Sequence, residues 1–285
     1  MVVVNTIAEL KAAVAQARQQ DKTVGLVPTM GALHVGHLSL VKRACAECNF
    51  VVVSVFVNPT QFNNPDDLRT YPRTLDADVE LLANNTTADI VFAPTAQEVY
   101  PQPDTRQFNL GPVAEVMEGK FRPGHFNGVC QIVSKLFAYV SPDKAYFGEK
   151  DFQQIAVIRQ MVHQQDFKLQ IVSCPIVRNP DGLAVSSRNT LLTPEHRAAA
   201  PDINKALQAS LTKVKQLTPA QLTAWTIAEV EKNPLLKVEY YQIVDGYTLQ
   251  PIDAWADTTY AVGCITVFAG NVRLIDNVTL FNKNI

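Results

Sequence analysis

No stretch of the 285-residue chain approaches the about 18 consecutive apolar residues that a membrane-crossing helix needs, so none is predicted. The N-terminus lacks a basic region followed by an apolar core, the mark of a secretory signal, and a cytoplasmic protein is expected. Charge is sparse: charged residues make up 18% of the chain, the formal net charge is −2, and no polybasic stripe occurs. The electrostatic footprint of a nucleic-acid binder is therefore missing. Cysteines number five, at 45, 48, 130, 174 and 264, and an odd, scattered set argues against a disulfide framework. Cys45 and Cys48 have redox-pair spacing, but they fall late in a predicted helix, away from the dipole end that favours a thiolate. Neither a second such pair nor a His-Glu-x-x-His stretch is present, which removes the common zinc signatures.

What is present is apolar bulk in an informative order. Hydrophobic residues make up 47% of the chain, and a chain of this length buries roughly three-quarters of its unfolded surface. That is enough for one large domain and a smaller one. Thr6 to Glu9 reads as a capping box for a helix through Gln19. Residues 23–27 form a short strand and 38–48 a helix. Residues 50–57, nearly all β-branched or aromatic, form a strand of the kind buried on both faces of a parallel sheet. Strand, helix and strand make a βαβ unit, whose crossover is almost always right-handed. The alternation continues with a helix over 74–84, a strand over 90–93, a helix over 129–140, a strand over 144–148, a helix over 152–165 and a strand over 168–173. The predicted fold class is α/β: a Rossmann-like, doubly wound parallel sheet over residues 1–176. Over 177–285 the rhythm changes. Thr193-Pro194-Glu195 and Thr218-Pro219-Ala220-Gln221 open capped helices with proline at the first helical position. Strands over 237–245, 258–268 and 272–277 follow, and Ala269-Gly270-Asn271 turns the last two into a hairpin. A smaller C-terminal α+β domain is predicted there.

Ligands of open parallel sheets bind beyond the carboxyl ends of the strands, and three polar clusters fall at such ends. The most informative is residues 28–37, Pro-Thr-Met-Gly-Ala-Leu-His-Val-Gly-His. His34 and His37, three apart on the first turn of a helix, share a face. Unpaired backbone N–H groups and the positive helix end favour an anion at the same place, so a nucleotide's phosphates are expected here. The second cluster is Asn58-Pro59-Thr60-Gln61-Phe62 and the third Gly148-Glu149-Lys150-Asp151-Phe152-Gln153-Gln154. A fourth, Ala184-Val185-Ser186-Ser187-Arg188-Asn189, lies just past the domain boundary and is expected to close over the others. Each has an ordinary explanation alone, as a turn, a solvated loop or a surface histidine. Four at one edge are hard to explain by packing.

The ordered set resembles the pantoate–β-alanine ligase family, part of the adenylate-forming superfamily that includes the class I aminoacyl-tRNA synthetases. The resemblance is carried by Pro28-Thr29-Met30-Gly31 with His34-Val35-Gly36-His37, by residues 56–62, and by Tyr71-Pro72-Arg73-Thr74. It continues through Arg122-Pro123-Gly124-His125-Phe126, residues 147–154, Ser186-Ser187-Arg188-Asn189 and Arg273-Leu274-Ile275-Asp276-Asn277, so it spans essentially the whole chain. The resemblance implies two steps: pantoate's carboxylate attacks the α-phosphorus of ATP to give pantoyl adenylate, and β-alanine's amine then displaces AMP. It implies catalytic roles for His34, His37 and Lys150. It places ATP against Met30, Gly31, Ala32, Leu33, His34, Val35, Gly36 and His37, and against Gly148, Glu149, Lys150 and Asp151, with Val177 and Val185 beside adenine. Ser186, Ser187 and Arg188 match a lid on the β- and γ-phosphates. Gln61 and Gln154 carry over as the pantoate pair, with Asn58 in the same substrate set and Gln61 also near β-alanine. Mg²⁺ is expected with ATP, Asp78 is a candidate carboxylate for it, and the family suggests a homodimer. Val185 departs from the Met or Leu more common in the family, and Ala77 stands where some members are acidic. For Arg122 and His125 a loop-building role is expected.

The same superfamily also holds nucleotidylyltransferases, which leave the nucleotide on their product. Such an enzyme would want basic residues for a phosphorylated substrate where this chain has Gln61 and Gln154. A non-catalytic nucleotide-binding module would not need both histidines, Lys150 and the Ser-Ser-Arg loop.

Overall fold

The computed structural model describes residues 1–63 and 65–284. The chain divides into two compact units: residues 1–110, 119–149 and 154–175, and residues 111–118, 150–153 and 176–285.

The first unit is built on six strands, β1 (Val2–Val4), β2 (Val24–Thr29), β3 (Phe50–Val55), β4 (Ile90–Phe92), β5 (Lys144–Gly148) and β6 (Gln170–Cys174). Their order is β1-β4-β3-β2-β5-β6, and every neighbouring pair is parallel. The helices in chain order are α1 (Ile7–Arg18), α2 (Val35–Glu47), α3 (Pro65–Thr70), α4 (Leu75–Asn85), α5 (Ala96–Val99), α6 (Glu118–Phe121), α7 (His125–Val140) and α8 (Phe152–Gln164). Val24, Leu26 and Val27 of β2 and Val51, Val52 and Val53 of β3 are buried, as expected of strands covered on both faces. From β2 the chain steps outward to β3 and β4, then returns to place β5 on the other side of β2. The order reverses between β2 and β5, and that switch point is where such sheets bind ligands.

The α/β reading holds, with local differences. The strand predicted over 50–57 stops at Val55, because Pro59–Gln61 winds into a 3-10 turn behind Asn58. The helix predicted from 129 starts four residues earlier, at His125, where Gly124 at φ +82° supplies a left-handed cap. β1, α3, α5 and α6 are too short to leave a periodic signal. All five cysteines are free thiols.

The second unit carries α9 (Pro194–Ala199), α10 (Pro201–Leu211), α11 (Pro219–Val230) and the antiparallel strands β7 (Leu236–Asp245), β8 (Tyr260–Ala269) and β9 (Val272–Asn282) in the order β7-β8-β9. Leu207, Leu222, Tyr241, Ile265 and Val267 lie at the centre of its core. The helix opened by Thr193 is interrupted at Pro201, which has no N–H to continue it. Within this unit Arg273 makes two hydrogen bonds to Glu118, both at 2.7 Å, and a third from Nε to Glu239 at 2.9 Å. Tyr240 donates to Glu118 at 2.7 Å. Gln153 accepts from the Glu118 N–H at 2.9 Å and donates to the carbonyls of Val113 and Val116. Among the described residues no helix is long and apolar enough to cross a membrane.

Candidate active site

The turn after β2 is held from beneath by a carboxylate. Gly31 (φ +83°) and Ala32 (φ +50°) are both left-handed, which turns the N–H groups of Ala32 and Leu33 to one side. They donate to the two oxygens of Asp78 at 3.0 and 2.7 Å, and Thr74 Oγ1 adds a third bond at 3.2 Å. A Cβ on Gly31 would lie 3.1 Å from Asp78 Oδ2 and 3.1 Å from Val55, tighter than ordinary contact. Asp78 is buried, and burial pushes its carboxyl above the ordinary range against the pull of those hydrogen bonds. Asp78, the candidate carboxylate for Mg²⁺, braces the turn in this structure. The N–H groups of Ala32 and Leu33 are likewise spent on Asp78.

At the start of α2 the two imidazoles cap the helix. His34 Nδ1 accepts from the Gly36 N–H at 3.2 Å, and the His34 N–H donates to His37 Nδ1 at 3.3 Å. The rings stack with centroids 4.0 Å apart and 30° between planes. This is the reciprocal logic of a capping box, and it changes the sequence reading. Two of the backbone N–H groups at this helix start, those of His34 and Gly36, are occupied by ring nitrogens. An Nδ1 that accepts a backbone N–H carries no proton, so in each ring the proton sits on Nε2. The helix start thereby carries imidazole N–H groups as well as backbone ones.

Beyond β3, Asn58 and Gln61 are buried in a network reaching α7. Asn58 Nδ2 donates to the Gly128 carbonyl and to Gln61 Oε1, each at 3.1 Å. Asn58 Oδ1 accepts from Tyr100 Oη at 2.8 Å. Gln61 Nε2 donates to Met30 Sδ at 2.9 Å, which joins this cluster to the β2 turn. The Gln61 backbone carbonyl meets His125 Nδ1 at 2.8 Å, with Arg122 Nη1 3.2 Å from His125 Nε2. A carbonyl only accepts and a guanidinium only donates, so His125 is neutral with its proton on Nδ1. It builds the loop, as expected. Gly128 matters for a different reason: a Cβ there would collide with the Thr60 carbonyl oxygen and stand 2.7 Å from Gln61 Cα. Burial pushes the Tyr100 hydroxyl up to about 12, so it remains a donor across the working range.

After β5, Gly148 has open space where a Cβ would stand, and a 3-10 turn over Glu149–Asp151 leads into α8. Gln154 is half-buried in the first turn of α8, while its neighbour Gln153 is buried and tied to the 113–118 segment. In the second unit Lys150 Nζ pairs with Asp151 at 3.3 Å, and its backbone carbonyl accepts from Asn277 at 3.2 Å. Val177 and Val185 pair through a 3.0 Å backbone hydrogen bond across a short hairpin, in which Arg178 grips Asp276 through two bonds of 2.7 and 2.9 Å. Ser186 caps the 3-10 turn Ser187–Leu191 by accepting from the Arg188 N–H at 3.3 Å.

Within the first unit, then, the structure brings together Met30, Gly31, His34, His37, Asn58 and Gln61 at the carboxyl ends of β2 and β3, with Gly148 and Glu149 at the end of β5. Sequence reasoning missed Tyr100 and Gly128. Tyr100 lies 42 residues from its partner and left no local signal. Gly128 did leave one, since a glycine inside an apolar helical run usually marks a close approach. Among the described residues no group of three or more His, Cys, Asp or Glu side chains is placed to hold a metal ion.

A parallel α/β sheet whose switch point carries a capped histidine pair beside a buried amide cluster is the architecture of a ligand-binding protein of the Rossmann-like class. Residues 2–279 match the family described as pantoate-beta-alanine ligase, and the chain belongs to that family. It is 60% identical over 278 residues to the pantothenate synthetase of Porphyromonas gingivalis W83, covering 98% of this chain and 99% of that one. It is 58% identical to the enzyme of the same name from Bacteroides thetaiotaomicron, with 98% of each chain covered. Among solved structures, pantothenate synthetase from Thermus thermophilus superposes with a TM-score of 0.92 at 43% identity, covering 99% of this chain and 100% of that one. The ligase from Francisella tularensis, solved with β,γ-ATP and β-alanine, gives 0.82 at 35% identity, with 98% of each chain covered.

Proposed function

We propose that this chain condenses pantoate with β-alanine at the expense of ATP, releasing pyrophosphate and then AMP through a pantoyl-adenylate intermediate. The observation that carries the reading is the stacked His34–His37 pair at the β2 switch point, in a chain 60% identical along nearly its full length to a pantothenate synthetase. In-line attack of a carboxylate on the α-phosphorus puts negative charge on the phosphate oxygens and on the departing pyrophosphate. Positioned donors lower such a barrier most effectively. His34 and His37 offer Nε2–H donors locked by their own capping bonds, and the reacting carboxylate has no proton to lose, so no general base is required. Lys150 and Arg188 add positive charge for the phosphates, Ser186 and Ser187 hydroxyl and backbone donors, and Asp151 an acceptor for the ribose. Gln61 and Gln154 hold pantoate through neutral amides; a cation there would dampen the nucleophile. Asn58 acts behind Gln61.

Mg²⁺ accompanies ATP on this reading, held chiefly by phosphate oxygens and water, as is usual for this ion. A cytoplasmic homodimer fits the family. The test is to incubate the chain with ATP, Mg²⁺, pantoate and β-alanine and resolve the nucleotides. AMP and pantothenate appearing together, and only with both acid and amine present, support the ligase. A stable adenylylated product would instead place the chain with the nucleotidylyltransferases.

A further inference from the structure

Gln61 holds the acid substrate in the proposed reaction, and the way its amide faces bears on catalysis only if that assignment stands. A carboxamide can be turned end for end at no steric cost, so its partners decide whether it shows a substrate N–H or C=O. We propose that a hydrogen-bond relay from Tyr100 through Asn58 fixes Gln61 with its N–H end outward, making Tyr100 a positioning residue that tunes the site for an anionic oxygen.

The relay is anchored by a group that cannot reverse. The Gly128 carbonyl can only accept, so the Asn58 atom 3.1 Å from it is the amide nitrogen. The second proton of that nitrogen lies between Gln61 and Thr60 Oγ1, each 3.1 Å away, and a Gln61 atom facing an amide nitrogen is Oε1 because Nε2 there would set donor against donor. Asn58 Oδ1, turned the other way, takes the Tyr100 hydroxyl at 2.8 Å, while Thr60 Oγ1 sits between the two ends of the amide, 3.1 Å from Nδ2 and 3.3 Å from Oδ1. Both ends of the buried Asn58 amide are thereby satisfied, and reversal would set carbonyl against carbonyl while turning an amide donor onto the Tyr100 hydroxyl. Gln61 is left with Nε2 as its outer end, resting on Met30 Sδ. A thioether is a weak acceptor, so a carboxylate or hydroxyl oxygen arriving there replaces a poor partner with a better one. Gln61 therefore serves the oxygens of the acid, with its amide oxygen turned inward to Asn58. His125 holds the same residue from the other side, through its backbone carbonyl.

The experiment measures KM for pantoate, β-alanine and ATP, kcat and melting temperature for wild type, Tyr100→Phe, Asn58→Ala and Asn58→Asp. Tyr100→Phe deletes one oxygen; pantoate KM is expected to rise about tenfold, with kcat and ATP KM within about twofold of wild type. In Asn58→Asp the acceptor-only carboxylate draws Gln61 Nε2 toward itself and turns C=O to the substrate. Pantoate KM should then rise by about a hundredfold or more, beyond its rise in Asn58→Ala. A merely structural network gives the opposite order, with Asn58→Ala the worst and all three KM values moving with the melting temperature. An unchanged pantoate KM in Tyr100→Phe overturns the relay, and this variant decides alone if those at 58 do not fold. A wild-type chain that converts no pantoate overturns the assignment of Gln61 and the relay with it. One that does convert it, beside an unaffected Tyr100→Phe, overturns the relay only.

Discussion

His37 and Asp78 show how the same kind of local chemistry serves two ends. In each a side chain accepts backbone N–H at the β2 turn, but the imidazole carries a donor on its other nitrogen while the carboxylate offers acceptors alone. His37→Ala removes one preorganised donor and should lower the rate of adenylate formation by about 10²–10³-fold; pre-steady-state pyrophosphate release measures it, and near-normal release would refute the role. Asp78→Asn is nearly isosteric yet turns an N–H₂ toward the Ala32 or Leu33 N–H. A buried donor facing a donor costs about 1–3 kcal/mol, so the turn loosens and ATP KM rises by about tenfold. A variant with unchanged ATP KM and melting temperature would show that the turn stands without this brace. Sequence reading found both residues but gave no sign of the brace that Asp78 forms, because a carboxylate's spacing along the chain does not reveal its backbone partners.

Helices and strands impose effects that run against local preference. Glycine inside a helix normally costs about 1 kcal/mol relative to alanine, so propensity alone has Gly128→Ala stabilising the protein. The close approach of α7 to the Pro59–Gln61 turn predicts the opposite sign. The added methyl meets backbone, not a side chain that can swing aside, and such overpacking costs about 1–3 kcal/mol. The expected outcome is a lower melting temperature together with a raised pantoate KM, as Gln61 shifts with the turn; a higher melting temperature would remove the crossing from the account. Glu47 at the end of α2 supplies a pH test. Hydrogen bonding from Arg43, then from Lys144 of β5, holds its carboxyl down at about 2 from an ordinary 4.5. A depressed carboxylate stabilises the fold above its unfolded value and loses that contribution as pH falls toward 2. Melting temperature should therefore drop less between pH 5 and pH 3 in Glu47→Gln than in wild type, and identical slopes would show the contact to be idle. Partial exposure keeps the effect small.

For the whole molecule, periodicity made the parallel sheet legible: buried β-branched runs such as Val51 to Val53 alternating with capped helices define a βαβ rhythm that few other arrangements satisfy. Residues at strand ends were legible for the same reason, because topology sends them to one edge. What short-range pattern does not encode is pairing at long sequence separation, as between Tyr100 and Asn58 or Arg273 and Glu118. The division of the chain is the largest case. A cut near 176 reads naturally from the change in rhythm, yet residues 111–118 and 150–153 group with the C-terminal part. They do so through Glu118, which meets Arg273 on β9, and through Gln153, which binds the Glu118 N–H. A fragment of residues 177–285 would keep its three strands and α9 to α11 but leave Arg273, a largely buried cation, with Glu239 as its remaining carboxylate. Removing one partner from a buried ion pair costs about 3–5 kcal/mol, a large share of the about 5–15 kcal/mol that hold a domain together. The isolated fragment should accordingly melt without cooperativity, while the same fragment carrying Arg273→Met with Glu239→Gln, which together leave no charge to strand, should recover part of a sigmoidal transition in circular dichroism. A wild-type fragment that already unfolds cooperatively would mean the C-terminal part folds without its borrowed segments.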